Sequence, residues 1–278
     1  MDYLKRAREF KTKKRLGQNF LIDSNIIDLI VEESNLSSDE TVIEIGPGAG
    51  FVTENIAPLV KKIYAIELDP EAADVLQGLQ IENLEILLQD ILKTDLSDFL
   101  TQKTKIIANI PYYITSPIIA HLLGEIDDTE HKNRNCISEI FLMVQYEVAQ
   151  RIVANPDSPN KQYGLLSILT NFWSTPEIIK KVPAKAFYPS PKVDSAIVKL
   201  KVNEKPRIKL ENPKLFKNVI KSAFAQRRKT FVNALSQGGF EKAKILATLE
   251  KMGLSSDIRG EKLSIEQFNE FTNTYTNL

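Results

Sequence analysis

Apolar residues fall along this chain in two periods. Four short runs, TVIEI (41–45), KIYAIEL (62–68), LEILLQ (84–89) and KIIAN (105–109), have the length and branched content of strands. Helical spacing fills the stretches FVTENIAPLV (51–60) and PEAADVLQGLQ (70–80) between them. Strands alternating with helices predict βαβ units and so a parallel sheet. EIFLMV (139–144) adds a strand and YEVAQRIVA (146–154) a helix. NPDSPNKQYG (155–164) reads as a loop, and FYPSPKVDSAIVKLKV (187–202) as a closing hairpin-type pair.

Beyond about residue 203 the pattern changes. PKLFKNVIKSAFAQRRKTFVNALSQGG (213–239) carries Leu215, Val219, Ile220, Phe224 and Phe231 at helical spacing, which predicts a helix ended by Gly238-Gly239. EKAKILATLEKMG (241–253) is a second helix, and SIEQFNEFTNTY (264–275) a third, opened by a capping box of Ser264 and Gln267. The expected organisation is an α/β domain over 1–202 and a small helical domain over 203–278, with no internal repeat.

Composition narrows the chemistry. The chain has 278 residues, 43% apolar and 26% charged, ordinary for a globular protein. A single cysteine, Cys136, leaves no disulfide framework and no thiolate metal site. Two histidines, His121 and His131, are too few for a histidine metal centre and read as helix-face or loop residues. No apolar run is long enough to span a membrane. MDYLKRAREF lacks the apolar core of a signal peptide. The expectations are no metal, no membrane and a cytoplasmic location.

The zero net charge hides segregation. Residues 1–24 hold seven Lys/Arg against three Asp/Glu, residues 25–100 three against sixteen, and residues 201–231 ten against two. Basic ends around an acidic middle suggest a polyanion gripped by part of the surface; solvated basic helices are the alternative.

VIEIGPGAGFVTENI is a strand, a glycine loop and a helix. Gly46, Gly48 and Gly50 permit a sharp turn and close approach of backbone to a ligand. The spacing is G-x-G-x-G rather than the dinucleotide G-x-G-x-x-G, and Glu44 precedes it, which disfavours a pyrophosphate. That tilts the reading from NAD to S-adenosylmethionine, whose amino-acid end is zwitterionic; a bare glycine turn stays open for the loop alone. Glu67, ending the second strand, is placed to accept both ribose hydroxyls, and Asp90, ending the third, to accept from an adenine amino group.

In sequence order, GQNFL (17–21), EIGPGAG (44–50), IELD (66–69), QDIL (89–92), NIPYYITSPI (109–118), YGLLS (163–167), FYPSPKVDSAIV (187–198) and AFAQRRKTFVNAL (223–235) resemble the ribosomal RNA adenine N6,N6-dimethyltransferases. The resemblance runs from about residue 14 to about residue 270. It implies a Rossmann-like S-adenosylmethionine-dependent methyltransferase domain with a small C-terminal α-helical domain. The implied activity is dimethylation of two adjacent adenosines in the 3′-terminal hairpin loop of 16S rRNA, within the small ribosomal subunit and linked to its maturation. The expected enzyme is monomeric.

The chemistry of such a reaction accounts for NIPY. An exocyclic adenine nitrogen is a poor nucleophile because its lone pair is delocalised into the ring. The Asn109 side-chain oxygen and the Ile110 carbonyl can accept from its hydrogens and favour the pyramidal, charge-developing nitrogen. Pro111 stiffens the turn, and Tyr112 offers a stacking face. Phe187 is placed to flank the base from the other side, or else is a core residue. No general base, metal or covalent nucleophile is required. Candidate cofactor contacts are Gln18, Asn19, Leu21, Gly46, Gly48, Glu67, Asp90, Ile91 and Asn109; Asn19 and the Leu21 backbone are included by resemblance. Arg227, Arg228 and Lys229 are candidate RNA-phosphate contacts on a helix stretch, with a solvated face as the alternative.

Two positions depart from the family pattern. Tyr113 stands where many members have asparagine, and Leu165 where arginine is common. The competing readings are the large-subunit (23S) rRNA adenine dimethyltransferase of macrolide resistance, which YGLLS and AFAQRRKTFVNAL argue against, and a ribosome-assembly factor whose RNA binding matters more than its catalysis.

Overall fold

The computed structural model describes residues 2–10, 13, 17–100, 102–159 and 162–278. In chain order they form α1 (Tyr3–Glu9), β1 (Phe20–Leu21), α2 (Ser24–Ser34), β2 (Thr41–Ile45), α3 (Phe51–Ile56), β3 (Lys62–Glu67), α4 (Pro70–Gly78), β4 (Leu84–Leu88) and β5 (Thr104–Asn109). There follow α5 (Thr115–Leu123), α6 (Lys132–Asn135), β6 (Ile137–Gln145), α7 (Tyr146–Val153), α8 (Leu165–Trp173), β7 (Ser174–Val182), β8 (Phe187–Tyr188) and β9 (Ser195–Val202). The chain closes with α9 (Pro213–Ala225), α10 (Phe231–Gln237), α11 (Lys242–Lys251) and α12 (Ile265–Thr276).

The main sheet has seven strands in the order β4-β3-β2-β5-β6-β9-β7. Strands β4, β3, β2, β5 and β6 pair in parallel, and β9 runs antiparallel to β6. The interior strands β2 and β5 are apolar without alternation because helices cover both faces. Val42, Ile43, Ile45, Ile106, Ile107 and Ala108 are all buried. A core cluster sets Ile27 and Ile30 of α2 and Phe51 and Ile56 of α3 against Val42, Ile63 and Phe141 of the sheet. Helix starts are written in side chains. Asp23 and Asp69 accept the N–H of the second helical residue, Asn212 and Ser264 that of the third, and Pro70 and Pro213 sit at first-turn positions.

The chain divides into two compact units, one of 1–124, 130–149 and 175–202, the other of 125–129, 150–174 and 203–278. The boundary expected after residue 202 coincides with one of the points where the chain passes between them, but the helical unit also draws on 125–129 and 150–174. Within it, Phe172 meets Phe216 with ring centroids 6.2 Å apart, and Phe231 lies between Phe268 and Phe271.

The structure differs from expectation in three places. Residues 187–202 are not a hairpin: β8 pairs antiparallel with β1 in a separate two-stranded sheet, while β9 joins the main one. Pro189 and Pro191 between them have no N–H to donate, so strand pairing cannot continue through. The helix expected through 213–237 breaks at 226–230, and Arg227, Arg228 and Lys229 lie in a turn between α9 and α10 rather than on a helix. Thr230 caps α10 with its own side chain, a local bond that competes with helix continuation. Finally, STPEIIKKV forms a strand that its sequence does not announce. Its Pro176 is tolerated because β7 is at the sheet edge.

Candidate active site

The strand order reverses between β2 and β5, and ligands of open α/β sheets bind beyond the carboxyl ends of strands at such a reversal. A cavity of about 830 Å³, counted with its open mouth, lies there. Gln18, Asn19, Gly46, Gly48, Glu67, Asp90, Ile91, Asn109, Ile110, Pro111 and Tyr112 all line it.

The glycine loop follows β2. Gly46 and Gly48 have φ of 66° and 56°, backbone that favours glycine. A Cβ on Gly46 would stand 3.1 Å from the Asn109 carbonyl oxygen, and one on Gly48 2.7 Å from the Phe20 ring. Both glycines therefore serve close approach as well as conformation.

Glu67 ends β3, and backbone N–H groups hold both its oxygens: Gly48 N at 3.1 Å on Oε2, Leu68 N and Asp69 N at 2.8 Å on Oε1. Burial pushes this carboxyl up from its ordinary range, and the three N–H bonds oppose that. Asp90 caps the short 3-10 turn Ile91–Lys93 by accepting from Leu92 N at 3.0 Å. Glu44, on β2, is 3% exposed and accepts from Thr53 Oγ1 at 2.6 Å. Burial first, and the charge of Glu67 second, push it up to about 7 against the Thr53 bond.

At the end of β5, Asn109 donates Nδ2 to the Asn19 carbonyl oxygen at 3.2 Å. Its Oδ1 carries no hydrogen bond among the described residues, so the acceptor end of the amide is available to the cavity. Pro111 leads into a 3-10 turn, Tyr112–Ile114. The Tyr112 hydroxyl is 2.6 Å from Ser195 Oγ, a fully buried group at the start of β9. Burial raises the Tyr112 phenol and the Ser195 bond opposes the rise.

The segment before β1 is tied to α4. Lys13 Nζ reaches Asp69 at 2.6 Å and Glu71 at 3.1 Å, and Gln18 Nε2 donates to Asp69 at 2.8 Å. Burial would raise Asp69, but these bonds hold it below the usual carboxylate range. Gln18 also accepts from Lys13 N, so both ends of its amide are engaged. Lys11, Thr12, Lys14, Arg15 and Leu16 of the basic arm lie outside the described residues.

Two expected residues are not at the cavity. Phe187 is 2% exposed and packs in the core cluster, because its pairing with Leu21 directs the ring inward; its expected place beside the base is corrected accordingly. The Leu21 side chain is buried in the same cluster. Sequence reasoning missed Ser195, although it ends the FYPSPKVDS motif, and missed Lys13–Asp69, a pair separated by 56 positions. Among the described residues no cluster of His, Cys, Asp or Glu could hold a metal ion, and no helix is long and apolar enough to cross a membrane.

A parallel sheet with its ligand cleft at the reversal, flanked by an antiparallel strand, is the fold of the Rossmann-like S-adenosylmethionine-dependent methyltransferases. The family model described as ribosomal RNA adenine dimethylase matches residues 9–277. The chain belongs to that family and is an rRNA adenine dimethyltransferase. It is 40% identical over 268 residues to a ribosomal RNA small subunit methyltransferase A of Clostridium botulinum (strain Langeland), covering 95% of this chain and 94% of the relative. The protein of that name from Caldanaerobacter subterraneus is 41% identical over 270 residues, covering 95% and 97%. Among solved structures, a dimethyladenosine transferase from Plasmodium falciparum superposes with a TM-score of 0.75 at 25% identity, covering 93% of this chain and 97% of that one. The 23S rRNA methyltransferase ErmE gives 0.68 at 25% identity, covering 93% and 100%.

Proposed function

We propose that the protein dimethylates N6 of two adjacent adenosines in the 3′-terminal hairpin loop of 16S rRNA, as a step in small-subunit maturation in the cytoplasm. The observation that carries the chemistry is the Asn109 amide. Its nitrogen is bonded to the Asn19 carbonyl, so its oxygen is the end offered to the cavity. The choice of the small subunit rests on about 40% identity over almost the whole chain to small-subunit enzymes, against 25% to the large-subunit enzyme ErmE.

S-adenosylmethionine fits the residues present. Gly46 and Gly48 leave room where side chains would stand, and Glu67, held by three backbone donors, keeps a lone-pair site on Oε2 for a ribose hydroxyl. Asp90 and Ile91 line the same cavity for the adenine end, and Asn19 and Gln18 the amino-acid end. When bound, this cofactor supplies an electrophilic methyl group with a neutral thioether as leaving group. The chain's own residues act on the nucleophile. In the first transfer Asn109 Oδ1 and the Ile110 carbonyl accept the two amino hydrogens as the nitrogen becomes tetrahedral, which localises its lone pair. In the second the one remaining hydrogen is accepted, and after each transfer the cationic nitrogen releases its surplus proton to water. The Tyr112 ring stacks on the base and fixes its plane.

The test is single-turnover transfer of labelled methyl from saturating cofactor to undermethylated small subunits, with the modified nucleotides mapped. Asn109→Ala should slow transfer by about 10²–10³, the usual effect of removing one preorganised polar group, with RNA affinity changed far less. A normal rate in that variant would remove Asn109 from the chemistry. Transfer to large-subunit rather than small-subunit rRNA would overturn the substrate assignment.

A further inference from the structure

Among the described residues three aromatic side chains line the cavity, and Tyr113 is the most exposed of them. Phe20 is buried beneath Gly48. Tyr112 is half-buried and tethered to Ser195. Tyr113, the next residue in the 3-10 turn, lines the cavity yet is 64% exposed. Among the described residues its ring stacks on no other ring, and its hydroxyl has no hydrogen bond.

A Cβ built on Gly17 would lie 3.4 Å from Tyr113 Cε1 and 3.4 Å from Pro111 Cβ. Gly17, at φ 60°, thus leaves open the space beside the ring that a side chain would fill. Phe187, which could have supplied a second stacking face, is in the core.

We infer that Tyr113 is a stacking platform for an unpaired RNA base, the neighbour of the adenine held at Asn109. The inference rests on the proposed reaction: a base brought to Asn109 must leave its own stack, and its neighbour on the strand is left without a partner. Tyr113 is one residue beyond the ring assigned to the target base, on the open rim of the cavity. Every base has a π-face, so this contact adds affinity with little sequence preference. It draws on stacking rather than on charge, unlike the candidate phosphate contacts Arg227, Arg228 and Lys229.

The experiment uses the full chain with saturating S-adenosylmethionine and an RNA hairpin carrying 2-aminopurine on either side of the target adenosine. Wild type and Tyr113→Phe should quench the probe at one of these positions. Tyr113→Ala should abolish that quenching at saturating protein and weaken RNA binding about 5–150-fold, equivalent to about 1–3 kcal/mol at about 1.4 kcal/mol per tenfold. Calorimetric cofactor affinity should be the same in all three, which also reports that each is folded. Unchanged quenching and RNA affinity in Tyr113→Ala would overturn the inference. So would equal losses in Tyr113→Phe and Tyr113→Ala, which would point to the hydroxyl, or a loss of cofactor affinity, which would make Tyr113 a wall of the cofactor site. Failure of the wild type to methylate small-subunit RNA would instead overturn the proposed function.

Discussion

Glu44→Gln should stabilise the protein at alkaline pH and do little in acid. Glu44 lies in the interior strand β2, with Ala65 of β3 and Ile107 of β5 as its register partners. The wild-type carboxyl is raised from 4.5 to about 7 in the folded chain. A raised carboxyl makes the native state bind a proton that the unfolded chain has released. Its stability contribution is therefore unaffected below about pH 4.5, falls as pH rises toward 7, and stays low above that. At 1.36 kcal/mol per pH unit, the span from 4.5 to about 7 corresponds to a cost of about 3 kcal/mol. The glutamine keeps the shape and an acceptor for Thr53 Oγ1 without the charge. Glu44→Gln should gain about 3 kcal/mol at pH 8 and less than about 1 kcal/mol at pH 5. Trp173, the single tryptophan, lies in the helical unit, so its fluorescence is the wrong probe. Urea unfolding should be followed by far-UV circular dichroism and by hydrogen exchange of β2 and β5 amides. Equal gains at both pH values, or a ¹³C titration of Glu44 centred near 4.5, would refute the reasoning.

Ser195→Ala leaves the Tyr112 phenol without its partner and should slow methyl transfer by loosening the ring, with a cost of about 1–3 kcal/mol or less given partial exposure. Tyr112→Phe cuts the same bond from the other end, so the double variant should be no worse than the poorer single one. Additive losses in single-turnover rate would mean that the two groups act separately. Replacing Arg227, Arg228 and Lys229 with glutamine should reduce the salt slope of RNA binding by about 0.7–0.9 for each phosphate no longer neutralised. Cofactor affinity should hold, and an unreduced slope would leave this turn as solvated charge.

Residues at the ends of apolar runs were readable from the sequence, because an abrupt polar group after a buried strand has few structural uses. Glu67, Asp90 and Asn109 were found this way, and all three line one cavity. The glycine loop was readable because its backbone tolerates little else. Pairings across long sequence distances were not. Nothing local marks Ser195 as the partner of Tyr112, or Asp69 as the partner of Lys13. Phe187 misled because two prolines suggested a presenting loop, whereas two residues of antiparallel pairing with β1 were enough to turn the ring into the core. The break at 226–230 was hidden by an apolar period that runs through it, since Thr230 stops the helix through its own side chain.

The interleaving of the two units sets an order of events during synthesis. Residues 150–174 emerge before 175–202, yet the rest of their unit is 203–278. Adding 175–202 takes about 1–6 s at ~5–20 residues per second. During that interval Phe172, buried in the finished protein, has no Phe216 to pack against. The α/β sheet meanwhile cannot be completed until β9 arrives. The nascent chain thus carries an uncovered Phe172 and an unfinished sheet at the same time, a state prone to misassociation. A fragment ending at residue 202 contains β9 and so completes the sheet, but it leaves Phe172 uncovered permanently. A fragment beginning at 203 has the opposite defect, lacking the aromatic surface that Phe216 was shaped to meet.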